Sequence, residues 1–398
     1  MKFKLGSNPD HFLTQIIYLT FAFDSLLKIS IGFQIHVGIL LTLSYNIIFL
    51  LFGKWGGYLN VFKTNKILLL FLTYALISGI VNVGISSIKI FIYLFLMMNC
   101  YLFFAVHSRK LRYTTVVRFQ QIMIITGLFQ FIAYKIFGWQ INFLDTEHYN
   151  TVQSYAHRLR GFFIEPNWFA IAFAFNTLLL IGNDLKSVWK KHRLLLLFSG
   201  FVFLLNGSFG PLSILFLVVA WGFFKNSKVT GIVISVLSVS LILTIFSYRG
   251  KIQGREGVNV LNYYSRLTPI IRLIDYWESV DMAKIITGHG LGSWGTLAIR
   301  EDLSVLVYEE NPTKRDASEL PVFLFEFGLL GTFIFFLDSL LLYRKCNSYD
   351  IVGKGAIILF LIIFLLYPAF KFWMYMAYYF VLRQNINNKS NKDVYSIL

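Results

Sequence analysis

The feature that most constrains this chain is the recurrence of long apolar stretches from one end to the other. Between charged breaks they fall near 12–27, 31–52, 67–84, 88–106, 114–137, 167–182, 194–207, 211–224, 229–247, 321–343, 354–369 and 370–384. A helix needs about 20 apolar residues to cross the hydrocarbon core of a bilayer. Composition closes the alternative of several soluble domains. Charged residues are 14% of the 398 and hydrophobic residues 57%, whereas a soluble domain carries roughly 25% charged residues. The expectation is an all-α polytopic membrane protein, a single membrane domain over 1–398 with about 11–12 transmembrane helices. The last two stretches read either as two spans or as one span and a re-entrant piece. Met1 to Asp10 is polar and no Ala-x-Ala follows the first apolar run, so no cleavable signal peptide is expected. The two cysteines, Cys100 and Cys346, are too few for a disulfide framework or a tetrahedral metal site.

Charge sets the orientation. With a cytoplasmic N-terminus and twelve crossings, 20 of the 36 basic residues but only four of the 20 acids fall in cytoplasmic pieces. In the remainder of the chain, spans and external pieces together, 16 acids and 16 bases cancel. The whole formal net charge of +16 is then the positive-inside bias, with both termini cytoplasmic. A nucleic-acid-binding chain would gather its cations on one face. Here they are dealt to alternate loops, which excludes nucleic acid as the expected partner.

Two external loops of real size result, 138–166 and 248–320. The second holds ten of the 20 acids, and a loop so long in a compact protein is usually functional. Within it, Pro269 precedes Ile270, Ile271, Leu273, Ile274, Trp277, Val280 and Ile285, and Gly288 follows as a stop. That period predicts one amphipathic helix over 270–286, on the membrane surface or over a cavity.

Several residues in these loops carry chemistry. In the stretch Arg158-Leu-Arg160-Gly-Phe-Phe-Ile-Glu165-Pro-Asn167, two arginines stand on the external side and Glu165-Pro166-Asn167 opens a helix. The arginines suit a phosphate because guanidinium stays charged and donates bidentately. The alternative is an interfacial Arg–Glu pair capping a span. Gly288-His289-Gly290-Leu-Gly292 is a glycine turn presenting a histidine, which either accepts a sugar hydroxyl proton or is a loop residue only. Gly290-x-Gly292-x-x-Gly295 matches a dinucleotide fingerprint in form, but follows a helix rather than a strand. Arg266 and Arg272 are further external cations. Intramembrane Asp24, Arg118, Glu326 and Asp338 are functional candidates; the alternative for Asp24 is a simple pair with Lys28, one turn on. The sequence has no Asp-x-Asp, His-Glu-x-x-His, Walker or Gly-x-Ser-x-Gly motif, so neither cofactor nor metal is expected.

The order of these features resembles the Wzy-type O-antigen and capsular polysaccharide polymerases and the related O-antigen ligases. The resemblance rests on four stretches over about 155–335: Arg158 or Arg160 through Asn167; Asn206-Gly-Ser208-Phe-Gly210; Arg266 or Arg272 with Trp277 and Gly288 to Gly292; and Glu326-Phe-Gly328-Leu-Leu-Gly331. Ligases of the family carry His-Asn before the last of these, where this chain reads Ser318-Glu319-Leu-Pro321, which favours the polymerase. The resemblance implies a membrane-embedded C-type glycosyltransferase in a bacterial inner membrane. It would polymerise undecaprenyl-pyrophosphate-linked repeat units at the outer face without a metal. Membrane lipid, a chain-length regulator and a flippase are the implied partners. Arg158, Arg160, Asn167, Arg266, Arg272 and Glu319 are then expected to bind substrate, with Arg160 and Arg266 or Arg272 gripping pyrophosphate from opposite loops. The base lies among Glu165, His289 and Glu319, with His289 preferred and Glu165 next. The competing readings are a ligase acting on lipid A core and a polysaccharide flippase or transporter.

Overall fold

The computed structural model describes residues 9–30, 34–81, 87–107, 111–139, 158–163, 165–182, 185–208, 211, 215, 268–304, 310, 315, 318–346, 351–367, 374–375, 377–379 and 381–383. Most of these are helical. In order they form α1 (Pro9–Thr20), a 3-10 turn (Phe21–Phe23), a hairpin of β1 (Lys28–Ser30) and β2 (Gln34–His36), α2 (Val37–Leu51), α3 (Gly56–Thr64), α4 (Lys66–Val81), α5 (Ser87–His107) and α6 (Tyr113–Phe137). There follow α7 (Pro166–Ile181), α8 (Leu185–Asn206), α9 (Thr268–Trp277), α10 (Met282–Thr287), α11 (Glu319–Lys345) and α12 (Ile351–Leu366).

Among the described residues, α6 and α11 are long and apolar enough to cross a membrane. The pair α2–α3, bent by 114°, would make a third if it is one broken span. Segments 12–23, 66–81, 94–107, 166–181 and 353–365 are shorter apolar helices. The expected spans 211–224 and 229–247 lie almost wholly outside the described residues, as does most of the loop 138–166.

The outward faces are apolar. On α6, Ile125, Phe129, Ile132 and Ile136 are exposed at four- and three-residue steps, while Phe119, Met123, Gly127, Gln130 and Ala133 turn inward. A helix that is apolar on both its buried and its exposed side suits lipid rather than water. Gly138 ends α6 in the left-handed conformation (φ 67°), which glycine adopts without a Cβ penalty. The centre of the bundle is α7, where every residue from Phe169 to Ile181 is buried. Its polar side chains are matched across helices, as burial demands. Tyr18 Oη donates to Asn176 Oδ1 at 2.6 Å, Asn176 Nδ2 donates to Gln120 Oε1 at 2.6 Å, and Gln120 Nε2 donates to Ser199 Oγ at 2.9 Å. These bonds tie α1, α6, α7 and α8 into one register.

Three expectations are corrected here. The stretch 31–52 is not helical at Gln34–His36, which pair as β2 antiparallel to β1 with Lys28 opposite His36, and α2 starts only where His36 Nδ1 accepts from Gly38 N at 3.0 Å. The fold is therefore not purely helical. The amphipathic helix over 270–286 is two helices, because Asp281 Oδ1 accepts from Ala283 N at 3.2 Å and so caps a second start. Finally, α11 is broken at Gly328 (φ 62°, ψ −171°).

Candidate functional site

Two polar groups are built where chain segments far apart in sequence meet. The first joins the entrance of α7 to the end of α8. Pro166 occupies the first turn of α7 with Glu165 as its half-buried N-cap residue. Arg158 Nε donates to the Asn206 carbonyl at 2.9 Å, and its Nη2 donates to Ser208 Oγ at 2.6 Å and Asn167 Oδ1 at 3.4 Å. Ser208 Oγ donates to the same Asn167 Oδ1 at 3.0 Å. Asn206 fastens the junction by donating to the carbonyls of Leu159 and Pro166 and accepting from Ser208 N at 3.0 Å. The Nε and Nη2 donors of Arg158 are thus taken by protein acceptors, which holds the guanidinium in one orientation.

Arg160 is placed differently, with only 6% of the residue exposed. Its backbone N–H donates to Gln130 Oε1 at 2.9 Å, and Gly161 N donates to the same oxygen at 3.3 Å. Ser25, beyond the 3-10 turn, donates from its N–H to the Phe162 carbonyl at 2.8 Å, so the hairpin is rooted on this turn. Asp24 and Lys28 pair at 3.0 Å beside it, as their four-residue spacing suggested.

The second group sits at the break in α11. Gly288 (φ 78°, ψ 177°) and Gly328 lie back to back. A Cβ on Gly328 would come within 2.3 Å of the Ile286 carbonyl, and one on Gly288 within 2.4 Å of the Glu326 carbonyl. The loop supplies donors for the carbonyls that the broken helix leaves open: His289 N donates to the Phe325 carbonyl at 2.8 Å and Gly290 N to the Glu326 carbonyl at 2.9 Å. Irregular backbone at membrane depth is tolerated only where protein satisfies it in this way. Tyr74 Oη of α4 completes the seam, donating to the Thr287 carbonyl at 2.6 Å and the Phe327 carbonyl at 3.1 Å. Leu273, Trp294, Ala298, Leu303, Val322 and Phe325 form a separate small core that packs the loop onto α11.

Inside this group lies a buried ion triad. Arg315 Nε donates to Glu319 Oε1, and Arg315 Nη1 to Glu326 Oε2 at 3.0 Å, with side-chain exposures of 4%, 0% and 1%. Glu326 Oε1 also accepts from Trp294 N at 3.3 Å, so one carboxylate links the loop, the cation and the helix. Arg315 was not anticipated from the sequence. A carboxylate inside a span needs a compensating cation, and Arg315 is the first one upstream of Glu326; that was the legible signal.

His289 stacks on Phe325 with ring centres 4.4 Å apart and an interplanar angle of 20°. Burial, with a lesser contribution from Lys284, pushes its imidazole down to about 4. The ring is therefore neutral near pH 7 and a weaker proton acceptor than a free histidine. Arg272 donates to the Asp302 and Ser304 carbonyls at 2.6 and 3.2 Å and pairs with Asp302 Oδ1 at 3.3 Å. It braces the loop. Arg266 lies outside the described residues. Thus the structure brings Arg158 together with Asn167, and Glu319 with Glu326, while Arg272 has its own partners. Among the described residues no three His, Cys, Asp or Glu side chains gather as a metal-binding group. No family model matches the chain, and no curated protein matches it.

Proposed function

We propose that this chain is a multi-pass protein of a bacterial inner membrane, with about 11–12 spans and cytoplasmic termini. In this reading it polymerises undecaprenyl-pyrophosphate-linked oligosaccharide repeat units into O-antigen or capsular polysaccharide. The observation that carries the reading is pairwise meeting. The 158–167 stretch closes on Asn206-Gly-Ser208 through Arg158, and the glycine turn at 288–292 closes on Glu326-Phe-Gly328 through backbone bonds. Four motifs scattered over some 170 residues of sequence thus meet in two pairs.

The chemistry follows from these residues. The acceptor hydroxyl of one lipid-linked unit forms the new glycosidic bond at the donor sugar's anomeric carbon, and the bond from that carbon to the donor pyrophosphate breaks. The hydroxyl proton passes to a base, and undecaprenyl pyrophosphate leaves with the bond's electrons. Arg158 is oriented for the developing charge on that leaving group. Glu165, half-buried one residue before the first turn of α7, is the base we assign. His289, neutral and stacked, is better suited to hydrogen-bonding a sugar than to taking its proton.

Purified protein in proteoliposomes, given lipid-linked repeat units, is expected to build a ladder of glycan lengths and release undecaprenyl pyrophosphate. Glu165→Gln should slow elongation about 10²–10⁴-fold, the usual contribution of general acid–base catalysis. Wild-type protein that makes no ladder would remove the polymerase reading. In cells, deletion should leave single-repeat glycan. Loss of all surface glycan would point instead to a flippase, and long unattached chains to a ligase.

A further inference from the structure

The cations at the start of α8 stand in an electrostatically unfavourable place. Lys186, Lys190, Lys191 and Arg193 are all exposed and lie in the first turns of a helix whose first turn carries no acid. Free N–H groups and the helix dipole already make that end positive, so Lys186 in the first turn is repelled and an anion is favoured there. Among the described residues none of the four has an ion-pair partner.

Tertiary structure adds to the patch. The helix leaves regular geometry at His192 (φ −129°, ψ 32°), and the His192 ring packs on Tyr113 at 5.7 Å. That contact sets the start of α6, with exposed Arg112, beside the basic turn. Trp189 is 49% exposed among the cations. Directly beyond the kink, Leu194, Leu197, Phe198, Phe201 and Leu204 are exposed along the rest of the helix. Cations and an amphipathic indole therefore lie one turn below an apolar wall. In a membrane protein that is the level of the lipid phosphates.

We propose that Arg112, Lys186, Lys190, Lys191 and Arg193, with Trp189, form a docking surface for the anionic phospholipid headgroups of the leaflet they face. The five cations supply the charge complement, the indole packs at the headgroup boundary, and the apolar wall of 194–204 takes the acyl chains. Because it rests only on the membrane reading, this site stands or falls independently of the polymerase chemistry.

The test uses the full chain in neutral detergent micelles, with bound lipid counted by native mass spectrometry during titration with dioleoyl phosphatidylglycerol or dioleoyl phosphatidylcholine. Wild-type protein is expected to prefer phosphatidylglycerol, and less so as salt rises. Each cation removed should weaken that preference about fivefold, so the triple variant Lys186→Gln, Lys190→Gln, Arg193→Gln should lose about 100-fold. The charge-keeping triple Lys186→Arg, Lys190→Arg, Lys191→Arg should retain it. A control triple of exposed cations elsewhere, Lys54→Gln, Lys63→Gln, Arg344→Gln, should also retain it. The proposal is overturned if wild-type protein shows no preference, as expected were the patch to serve a soluble acidic partner. It is equally overturned if the neutralised triple keeps the preference, or if the control triple loses as much.

Discussion

Replacing Gly328 with alanine should release the 286–294 segment from α11 without unfolding the bundle. The residue sits at φ 62° and ψ −171°, a region essentially reserved for glycine, where another residue costs on the order of 1–3 kcal/mol. The new Cβ would also stand 2.3 Å from the Ile286 carbonyl and 2.5 Å from Gly288 N. Those are backbone atoms, so relief requires the two strands of chain to part. Parting gives up the His289 N and Gly290 N bonds to α11, each contributing about 1 kcal/mol. Alanine also favours a continuous helix over glycine by about 1 kcal/mol, which pulls α11 straight. The strain of about 2 kcal/mol and the helix preference of about 1 kcal/mol shift the equilibrium toward the open seam by about 3 kcal/mol, or about two orders of magnitude in the open population, the lost bonds being a cost of opening that wild type and variant share. Hydrogen exchange read by mass spectrometry is the assay. Peptides covering 286–294 should exchange about 100-fold faster in Gly328→Ala, while those from 113–137 stay unchanged. Gly288→Ala should give the same pattern from the other side of the seam. Gly200→Ala, whose Cβ meets nothing within 4 Å, should not. Unaltered protection at residues 289 and 290 in Gly328→Ala would refute the seam as the element that holds the loop.

Three further outcomes are expected. Arg315→Met leaves two buried carboxylates without their cation and should destabilise the folded protein by about 3–5 kcal/mol; adding Glu319→Gln and Glu326→Gln should recover much of the loss, and thermal unfolding in detergent checks both. His289 is held neutral by burial, with its titration pushed down to about 4, so the folded state binds fewer protons than the unfolded state between about pH 6.5 and 4. The stability it contributes is present above that window and lost as pH falls through it, and His289→Phe should flatten that part of a Tm–pH profile; an unchanged profile would contradict the burial argument. A cysteine at position 310, in the long loop, should react with an impermeant maleimide in intact spheroplasts, and protection until lysis would invert the topology.

Apolar runs separated by charge were enough to place six of the described helices, because such runs are long enough for self-satisfied helical backbone. α4, α5, α6, α7, α11 and α12 each fall on one of the apolar stretches. The helix start at Glu165-Pro166 and the glycine turn beside His289 were legible for the same reason: their signals are local. What the sequence could not decide is which segments meet. That Arg158 closes on Asn167, Asn206 and Ser208 depends on the packing of α7 against α8, and pairing across 48 residues leaves no periodic trace. Gly328 reads as an ordinary glycine in an apolar span until Gly288 is seen against it; only then does its left-handed backbone have a cause. The depressed titration of His289 likewise comes from burial, on a face where Phe325, 36 positions away in sequence, stacks on its ring, and the role of Arg315 from two buried carboxylates. Local chemistry decided the elements; desolvation on packing decided which charges and backbone groups had to find one another.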